Sequence, residues 1–339
     1  MERVSEGSGV GVKGRIFVKV DREQYAPGDL VTGTVFVTVA EPIRCKELVV
    51  IINGQERLSW DEGETATTIP FEKEILHVKI PLCPENSSYE PGDYEFQFSH
   101  HLPSALPASF SLENVYHGSF ERFRADIRYT ATAWLTAEGA AVSYLAVTQQ
   151  FTLYVPGAAM ASERPIDETL IENLRYLCCL NRGVAYVNVT MAKNIYISGD
   201  TVELQYQVRN QQSACAIGAV RVELVEEISL LNAGTYTGRT ILRVLSCQEF
   251  GGVPAGCNLE PQKVELKLVT PGPGMEKAVP VNPTATSQHF ASSYAVHVSC
   301  QPFGCRSLRL EVPLAVLHHS AVRDAFSLEL TTVDPRAVA

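Results

Sequence analysis

Apolar and polar residues alternate along most of this chain, in short runs separated by turn-forming residues. In the first half these runs are 14–20, 31–39, 47–53, 71–80, 93–98, 123–136 and 145–154. In the second half they are 184–191, 201–209, 219–228, 240–247, 262–269, 289–300, 306–316 and 326–332. A two-residue period with Gly, Pro, Asn and Asp in the gaps is typical of antiparallel strands. The pattern predicts an all-β fold built of sandwiches, without βαβ units.

Two stretches depart from this alternation. In 165–177 the apolar residues fall roughly on one face of a helix, which predicts a helix or linker. Small residues and turn formers precede it at 155–162, so we place a linker at 157–176, between domains 1–156 and 177–339. Residues 271–286, rich in Pro, Gly and small polar residues, predict a long mobile loop within the second domain.

The chain also carries a long internal repeat. The hexapeptide YAPGDL at 25–30 is echoed by YISGDT at 196–201, half a chain length downstream, and Tyr129 and Tyr294 mark a second echo at a similar offset. Self-similarity at so long a period indicates a duplicated domain. We expect Tyr25 and Tyr196 to pack at strand ends, with the following glycines, Gly28 and Gly199, in tight turns or at positive φ.

Length and charge narrow the class of protein. A chain of 339 residues suits two domains. Its net charge of −10 argues against nucleic-acid binding, for which a strongly basic domain is expected. No run approaches the ~18 apolar residues of a membrane span, and the first residues lack the apolar core of a signal peptide. We therefore expect a cytoplasmic protein without a transmembrane segment.

The nine cysteines fit a reducing compartment. Their number is odd, and several stand alone in strand-like runs. Cys178 adjoins Cys179, Cys247 lies near Cys257, and Cys300 lies near Cys305. We predict free thiols with no disulfide and no bound metal. A zinc-binding arm at Cys300 and Cys305 is the alternative, although no second arm accompanies it.

Catalytic motifs are not evident. The sequence has no G-x-S-x-G nucleophile elbow. The adjacent pairs His100–His101 and His318–His319 would point to opposite faces of a strand, so neither pair forms a two-ligand site unaided. We predict no catalytic residues, no metal and no cofactor, and hence a protein that is not an enzyme.

Two motifs carry a resemblance to a known family. PGDYEFQF at 91–98, followed by LPSALPASF at 102–110, resembles the hallmark segment of arrestin N-domains in the form found in α-arrestins, the arrestin-domain-containing proteins. In the second half, Cys178-Cys179-Leu180, the repeated YxxGD and LRLEVPL at 308–314 resemble the arrestin C-domain. The resemblance spans residues 12–317. It implies the arrestin fold, two consecutive antiparallel immunoglobulin-like β-sandwiches.

The resemblance also implies a function. α-Arrestins are trafficking adaptors that bind cytosolic tails of membrane receptors or transporters and link them to endocytic or ubiquitin-dependent sorting. They typically carry PPxY motifs that recruit ubiquitin ligases, and the printed sequence has no PPxY. An arrestin-fold scaffold subunit of a retromer-like endosomal coat is therefore the alternative. Either role implies peripheral recruitment to the plasma membrane or to endosomes.

A row of cations in the first strand is the candidate binding site. Alternation puts Lys13, Arg15, Phe17 and Lys19 on one side of 12–20, with Arg22 just beyond. These charges could protect a sheet edge from aggregation. Alternatively, they bind an acidic or phosphorylated tail that adds to the edge as a strand. The resemblance favours the second interpretation, because this strand lies beside the bound tail in relatives.

Overall fold

The computed structural model describes residues 14–62, 67–117, 120–138, 143–155, 162–176, 180–271 and 278–321. The chain divides into two compact units, Met1–Val155 and Pro156–Ala339. Each unit consists of β-sheets that pack apolar faces together, and the one helical element among the named elements is a short 3₁₀ turn, Gly234–Tyr236. The prediction of two all-β sandwiches is confirmed.

The first unit contains two sheets. Its strands are β1 (Gly14–Val20), β2 (Gln24–Tyr25), β3 (Leu30–Val39), β4 (Ile43–Glu62), β5 (Thr67–Pro81), β6 (Ser87–Tyr89), β7 (Gly92–His101), β8 (Phe110–His117), β9 (Phe120–Ala137) and β10 (Ser143–Leu153). One sheet has the order β1-β3-β7. The other has the order β2-β10-β9-β4-β5, with β6 on β4 and β8 on β9. Within it, the short β2 runs parallel to β10.

The second unit repeats this plan. Its strands are β11 (Ile166–Tyr176), β12 (Leu180–Met191), β13 (Ile195–Ile197), β14 (Thr201–Arg209), β15 (Ile217–Leu230), β16 (Thr240–Val253), β17 (Gln262–Lys267), β18 (Val269–Pro271), β19 (Ala278–Pro280), β20 (Ala285–Thr286), β21 (Phe290–Pro302) and β22 (Leu308–Leu317). The sheet orders are β11-β12-β14-β17 and β13-β22-β21-β15-β16, with β20 on β21. As in the first unit, the short strand β13 runs parallel to its neighbour β22.

The strand registers of the two units agree. Lys19 of β1 pairs with Thr34 of β3, and Thr190 of β12 pairs with Gln205 of β14. Thr190 lies 171 positions after Lys19, and Gln205 lies 171 positions after Thr34. Tyr25 and Tyr196 of the two YxxGD motifs are separated by the same 171 positions. The sequence repeat is therefore a structural repeat with the same register between these strands, and β1 of the first unit corresponds to β12 of the second.

The repeated tyrosines occupy equivalent strand ends, as predicted. Tyr25 is fully buried and Tyr196 is 3% exposed. Gly28 follows with φ +91° and Gly199 with φ +94°, a left-handed conformation that glycine adopts without a steric cost. The expectation for both tyrosines and both glycines is confirmed.

The Asp residue of each repeat closes its turn through the same two hydrogen bonds. The Asp29 N–H donates to the Ala26 carbonyl, and the Asp29 carboxylate accepts from the Ala26 N–H, both at 3.0 Å. Asp200 makes the same pair of bonds with Ile197, at 2.9 and 3.1 Å. In both copies the Asp carboxylate accepts from the backbone N–H three positions earlier and so reinforces the backbone bond of the turn.

The second tyrosine echo anchors a loop in each unit. Tyr129 and Tyr294 are buried on central strands. The Tyr129 hydroxyl donates to the Pro107 carbonyl at 2.7 Å, and the Tyr294 hydroxyl to the Asn282 carbonyl at 2.6 Å. Each ring fills a core, while its hydroxyl satisfies a carbonyl of the adjacent loop.

The helix predicted at 165–177 is wrong, and so is the assignment of 166–176 to a linker. This stretch forms β11, which pairs antiparallel with β12. Ile166 and Leu174 are buried, but Ile171 is 60% exposed, so the apolar face of the predicted helix does not form. Sequence preference for a helix is weak compared with the backbone hydrogen bonds that an open sheet edge offers.

The loop predicted at 271–286 is also partly a sheet. β18 and β19 pair as a two-stranded ribbon, and β20 joins β21. Residues 272–277 between the ribbon strands lie outside the described residues, as does the strand predicted at 326–332.

Candidate functional site

The predicted cation row lies on β1. Arg15 and Lys19 are exposed, Phe17 between them is half-buried, and the intervening residues face the core. The two cations therefore share one face, about 13 Å apart at ~3.3 Å per residue. Neither forms an ion pair within the part of the chain that the structure describes. Lys13 lies outside the described residues.

Arg22 does not extend this row. Its guanidinium lies 3.0 Å from the Asp29 carboxylate and 4.5 Å from the centre of the Tyr25 ring. Lys193, the counterpart of Arg22 in the second copy of the repeat, is placed in the same way, 3.9 Å from Asp200 and over the ring of the second tyrosine. Because the cation recurs with the turn, we assign Arg22 a part in stabilising that turn. Its contact with a bound tail stays a prediction.

The outer edge of β1 has no hydrogen-bonded neighbour strand among the described residues. On its inner side β1 pairs with β3 along its whole length. On the outer side the Val20 N–H donates to the side-chain oxygen of Gln149 on β10, at 2.9 Å. Backbone groups alternate between the two edges of a strand, so those of Ile16 and Val18 also point outward. Ile16 and Val18 are, however, only 7% and 1% exposed, so the backbone of this edge is largely covered by neighbouring residues.

Acidic residues lie on the same face of the sheet, two strands away from the row. The Thr38 hydroxyl, opposite Arg15, donates to Asp93 of β7 at 2.7 Å, and Glu95 follows on the same face. These acids lie two strand spacings, about 10 Å, from the cations of β1. Salt at physiological concentration screens exposed charges over about 8 Å, so the acids only weakly offset the cations. The positive charge is therefore concentrated at the outer edge of β1, and an acidic ligand is directed along that edge.

The second unit shows what such an edge can hold. In the repeat, β12 corresponds to β1, and β11 pairs with the edge of β12 whose counterpart in β1 has no hydrogen-bonded strand. Asp167 of β11 lies opposite Thr190, and its carboxylate accepts from the Asn188 amide at 2.7 Å. The alternation pattern did not predict β11 as a strand, because this stretch lacks a clear two-residue period. Only its pairing with β12 identifies it as one.

The hallmark LPxxLPxSF segment has a structural role. Leu102, Leu106 and Phe110 are buried. Ser109 bonds to Leu153 of β10 twice, through its N–H at 2.8 Å and its hydroxyl at 2.9 Å. These contacts fix the segment on the larger sheet of the first unit, so its motif reports the fold and not a binding surface.

A buried charge pair that sequence reasoning missed lies in the second unit. The Glu226 carboxylate is 1% exposed and accepts from Arg243 at 2.9 Å and from Ser292 at 3.2 Å. The Tyr294 hydroxyl lies 3.1 Å from it, but its proton goes to the closer Asn282 carbonyl. Burial raises its pKa, and Arg243 opposes the shift. The same arginine contacts the hydroxyl of Thr270 in β18. The pair thereby ties the β18–β19 ribbon to the six-stranded sheet.

A second cluster brings together Glu227, His297 and Glu311, whose ligand-type atoms all lie within 4.8 Å of one another. Imidazole and carboxylates are metal-ligand chemistry. However, the Arg309 guanidinium contacts the His297 ring and bonds to Glu311 at 2.9 Å. Burial, followed by this arginine, lowers the pKa of His297. A fixed cation within the cluster opposes a metal ion, and the arrangement is best explained as an ion-pair network.

The cysteines that lie close together in space are not those that are neighbours in the sequence. Cys215 Sγ lies 3.5 Å from Cys305 Sγ, and Cys45 is hydrogen-bonded to Cys83. Cys300 lies instead in the core, where burial raises the pKa of its thiol to about 12. The zinc arm considered for Cys300 and Cys305 is therefore not supported by the geometry. Cys178 and Cys179 lie outside the described residues.

The two histidine pairs differ. His100 and His101 are adjacent on β7 and fall on opposite faces, as predicted. The same prediction is wrong for His318 and His319, which follow β22 and whose rings lie 4.0 Å apart. Burial lowers the pKa of His318 to about 4.

Across the described ranges, no helix has the length and apolar character needed to cross a membrane.

Two family models match the chain in order. The N-terminal domain of arrestin (or S-antigen) matches residues 15–153, and the C-terminal domain matches residues 181–320. The matches coincide with the two sandwiches, and the resemblance drawn from the hallmark motifs is confirmed.

Curated relatives agree with this. Arrestin domain-containing protein A of Dictyostelium discoideum is 26% identical over 212 residues, covering 58% of this chain and 35% of its own length. Arrestin domain-containing protein 17 of Caenorhabditis elegans is 23% identical over 278 residues, covering 75% and 61%. Arrestin domain-containing protein 5 of Homo sapiens is 22% identical over 207 residues, covering 56% and 55%. The matched part spans 35% to 61% of these relatives' own lengths. Because both arrestin domains match in order, the chain belongs to the arrestin family, among its α-arrestin-like members.

Proposed function

We propose that this chain is a non-enzymatic, arrestin-type adaptor that binds cytosolic tails of membrane receptors or transporters and links them to endocytic or ubiquitin-dependent sorting. The tail binds as an extended strand along the outer edge of β1. One observation carries the proposal: the equivalent strand of the second unit, β12, holds an added strand, β11, on the edge where β1 has no hydrogen-bonded strand in the described chain.

The repeat also supplies an orientation and a register. β11 runs antiparallel to β12, with Asp167 opposite Thr190 and Ile171 opposite Tyr186. Transposed to the first copy of the repeat, these two positions fall opposite Lys19 and Arg15, and the residue midway between them falls opposite Phe17. The favoured ligand therefore has two acidic or phosphorylated residues four apart, with an apolar residue halfway between them.

The chemistry of the row fits such a tail. A phosphate carries nearly two negative charges and three acceptor oxygens. Each charge-assisted hydrogen bond contributes roughly 1.5–3 kcal/mol before screening by solvent and salt. Two anchored anions together with strand pairing along Ile16 and Val18 would support micromolar binding, about −8 kcal/mol.

The setting of this activity is part of the proposal. The chain acts in the cytoplasm and is recruited peripherally to the plasma membrane or endosomes by its cargo. A ubiquitin ligase or endosomal coat proteins are the downstream partners.

Peptide binding tests the proposal. The probe is a labelled nine-residue peptide with two phosphoserines four residues apart and a leucine midway. Binding should be micromolar, weaken steeply with salt, and fall at least tenfold in the double variant Arg15→Ala, Lys19→Ala. The melting temperature should hardly change, because both side chains are exposed. The matched control, Arg44→Ala with Lys46→Ala, removes two exposed cations from β4 and should bind normally.

Two results would count against this function. One is a double variant that binds the peptide as tightly as the unchanged chain. The other is elution of the chain, from extracts of its own cells, in a fixed-stoichiometry complex that forms without cargo. That outcome would favour the scaffold subunit of a retromer-like coat.

A further inference from the structure

A cleft of about 920 Å³ opens between the two sheets of the second unit. One wall consists of β11 residues between 170 and 175, and the other of residues 304–309, which form the turn after β21 and the start of β22. The buried side chains of Leu174 and Leu308 contribute apolar lining. Clefts of roughly 300–1,000 Å³ are typical of ligand sites.

Both walls end in strand edges that are open among the described residues. β11 is the terminal strand of its sheet, and β13 covers the outer edge of β22 only at 315–317. The Ala315 N–H donates outward to Asn194 at 2.9 Å. Alternation therefore points the backbone groups of Arg309 and Glu311 to the same side. Pro313 has no N–H, so strand pairing on this edge is confined to the part that borders the cleft.

The lining is positively charged. Arg175, Arg306 and Arg309 line the cleft, against a single acid, Glu172. Arg309 is engaged by Glu311, but Arg175 and Arg306 are exposed and form no ion pair with any residue that the structure describes. In a chain of net charge −10, this local excess of cations selects an acidic ligand.

We propose that this cleft is a second peptide site, which binds an acidic, extended segment of a partner protein. The segment adds as a strand to the outer edge of β22 and places its carboxylates on Arg175 and Arg306. A peptide is favoured over a lipid headgroup because only a peptide uses the open backbone edges. The site is distinct from the edge of β1, and the inference does not rest on the proposed function.

A labelled peptide of eight residues, alternating glutamate and valine, tests the site by fluorescence anisotropy. Binding should be saturable and should weaken at least tenfold in Arg175→Glu, Arg306→Glu. The matched reversal of two exposed cations that do not line the cleft, Arg209→Glu with Lys263→Glu, should leave it within twofold. Equal melting temperatures of the two double variants establish that both are folded.

Three further readouts decide where the peptide lies. Amide exchange at Arg309 and Glu311 should slow when the peptide is bound. A peptide with a central proline should not bind, and the double variant of β1 should bind normally.

Several outcomes would overturn the proposal. These are no saturable binding, equal binding by the Arg175 and Arg306 reversal, tight binding of the proline peptide, or a loss caused by the β1 variant. Binding of vesicles that contain phosphatidylserine through Arg175 and Arg306, with no peptide binding, would assign the cleft to a membrane surface instead.

Discussion

Removing Arg243 tests how the second unit holds the β18–β19 ribbon. Arg243→Met keeps much of the apolar stem but leaves the Glu226 carboxylate, which is 1% exposed, without the cation 2.9 Å away. One neutral donor remains, the hydroxyl of Ser292 at 3.2 Å, because the Tyr294 hydroxyl donates to the Asn282 carbonyl. The substitution therefore creates a buried carboxylate with one hydrogen bond and no counterion.

The expected loss is large for one substitution. Breaking a buried ion pair by removing one partner costs about 3–5 kcal/mol, and we expect a loss of at least about 3 kcal/mol because only Ser292 still donates to the carboxylate. At about 2–4 °C per kcal/mol for a unit of this size, the second unit should melt about 6–12 °C lower. Glu226→Gln combined with Arg243→Met should recover most of the loss, because no charge is then left alone. The control Arg221→Met breaks an exposed pair with Glu249 and should cost less than about 1 kcal/mol.

The pH dependence gives an independent check. Burial is the main cause that raises the pKa of Glu226, and Arg243 is the main influence that lowers it. The pKa in Arg243→Met should therefore be higher still. A carboxyl whose folded pKa lies above its unfolded value destabilises the fold when ionised, and protonation relieves this as pH falls through the folded pKa. The stability deficit should therefore shrink as pH falls through the raised pKa of Glu226.

Calorimetry of the full chain measures both effects, because it separates the melting of two units if they unfold independently. Amide exchange at Thr270 should be faster in the variant, since the ribbon loses its contact with Arg243. A deficit no larger than that of Arg221→Met, or a deficit that grows as pH falls, would refute the reasoning.

Two other predictions concern the turns and the thiols. Gly28→Ala or Gly199→Ala forces a side chain into a left-handed conformation and should cost about 1–2 kcal/mol in thermal unfolding. Gly251→Ala, whose added methyl group meets open space, should change stability little, and equal effects would contradict the turn argument. Cys215 and Cys305 should remain free thiols although their sulfurs lie 3.5 Å apart. Intact mass without reductant should match the reduced chain, whereas a loss of two hydrogens or stoichiometric zinc would contradict this.

Much of the fold was predictable because its determinants are local. A sandwich strand turns one face to the core and one to solvent, so alternation located β1, β3, β14 and β22 from residue type alone. The Gly-Asp turns after Tyr25 and Tyr196 were predictable for a related reason. Their hydrogen bonds join residues three apart, and their glycines adopt a conformation that few other residues tolerate.

The failures have a common cause. In β11 the spacing of Ile166, Leu170 and Leu174 fits a helix, and only the open edge of β12 makes it a strand. The proximity of Cys215 and Cys305 was not predicted, because the two residues are 90 positions apart in the sequence. Glu226 and Arg243 resemble ordinary strand charges until the sheet brings them together in a buried position.

The sequence by itself determined the all-β class, the twofold repeat, the arrestin family and the shared face of Arg15 and Lys19. These depend on period and short motifs, which a chain carries wherever its neighbours lie. Only the tertiary structure decided which strand edges lack a hydrogen-bonded strand, that Arg22 forms an ion pair with Asp29, and that a cationic cleft lies between β11 and β22. Such features depend on contacts between distant residues, such as the bond from Val20 to Gln149 across 129 positions, and chain entropy leaves those contacts unspecified until the sheets close.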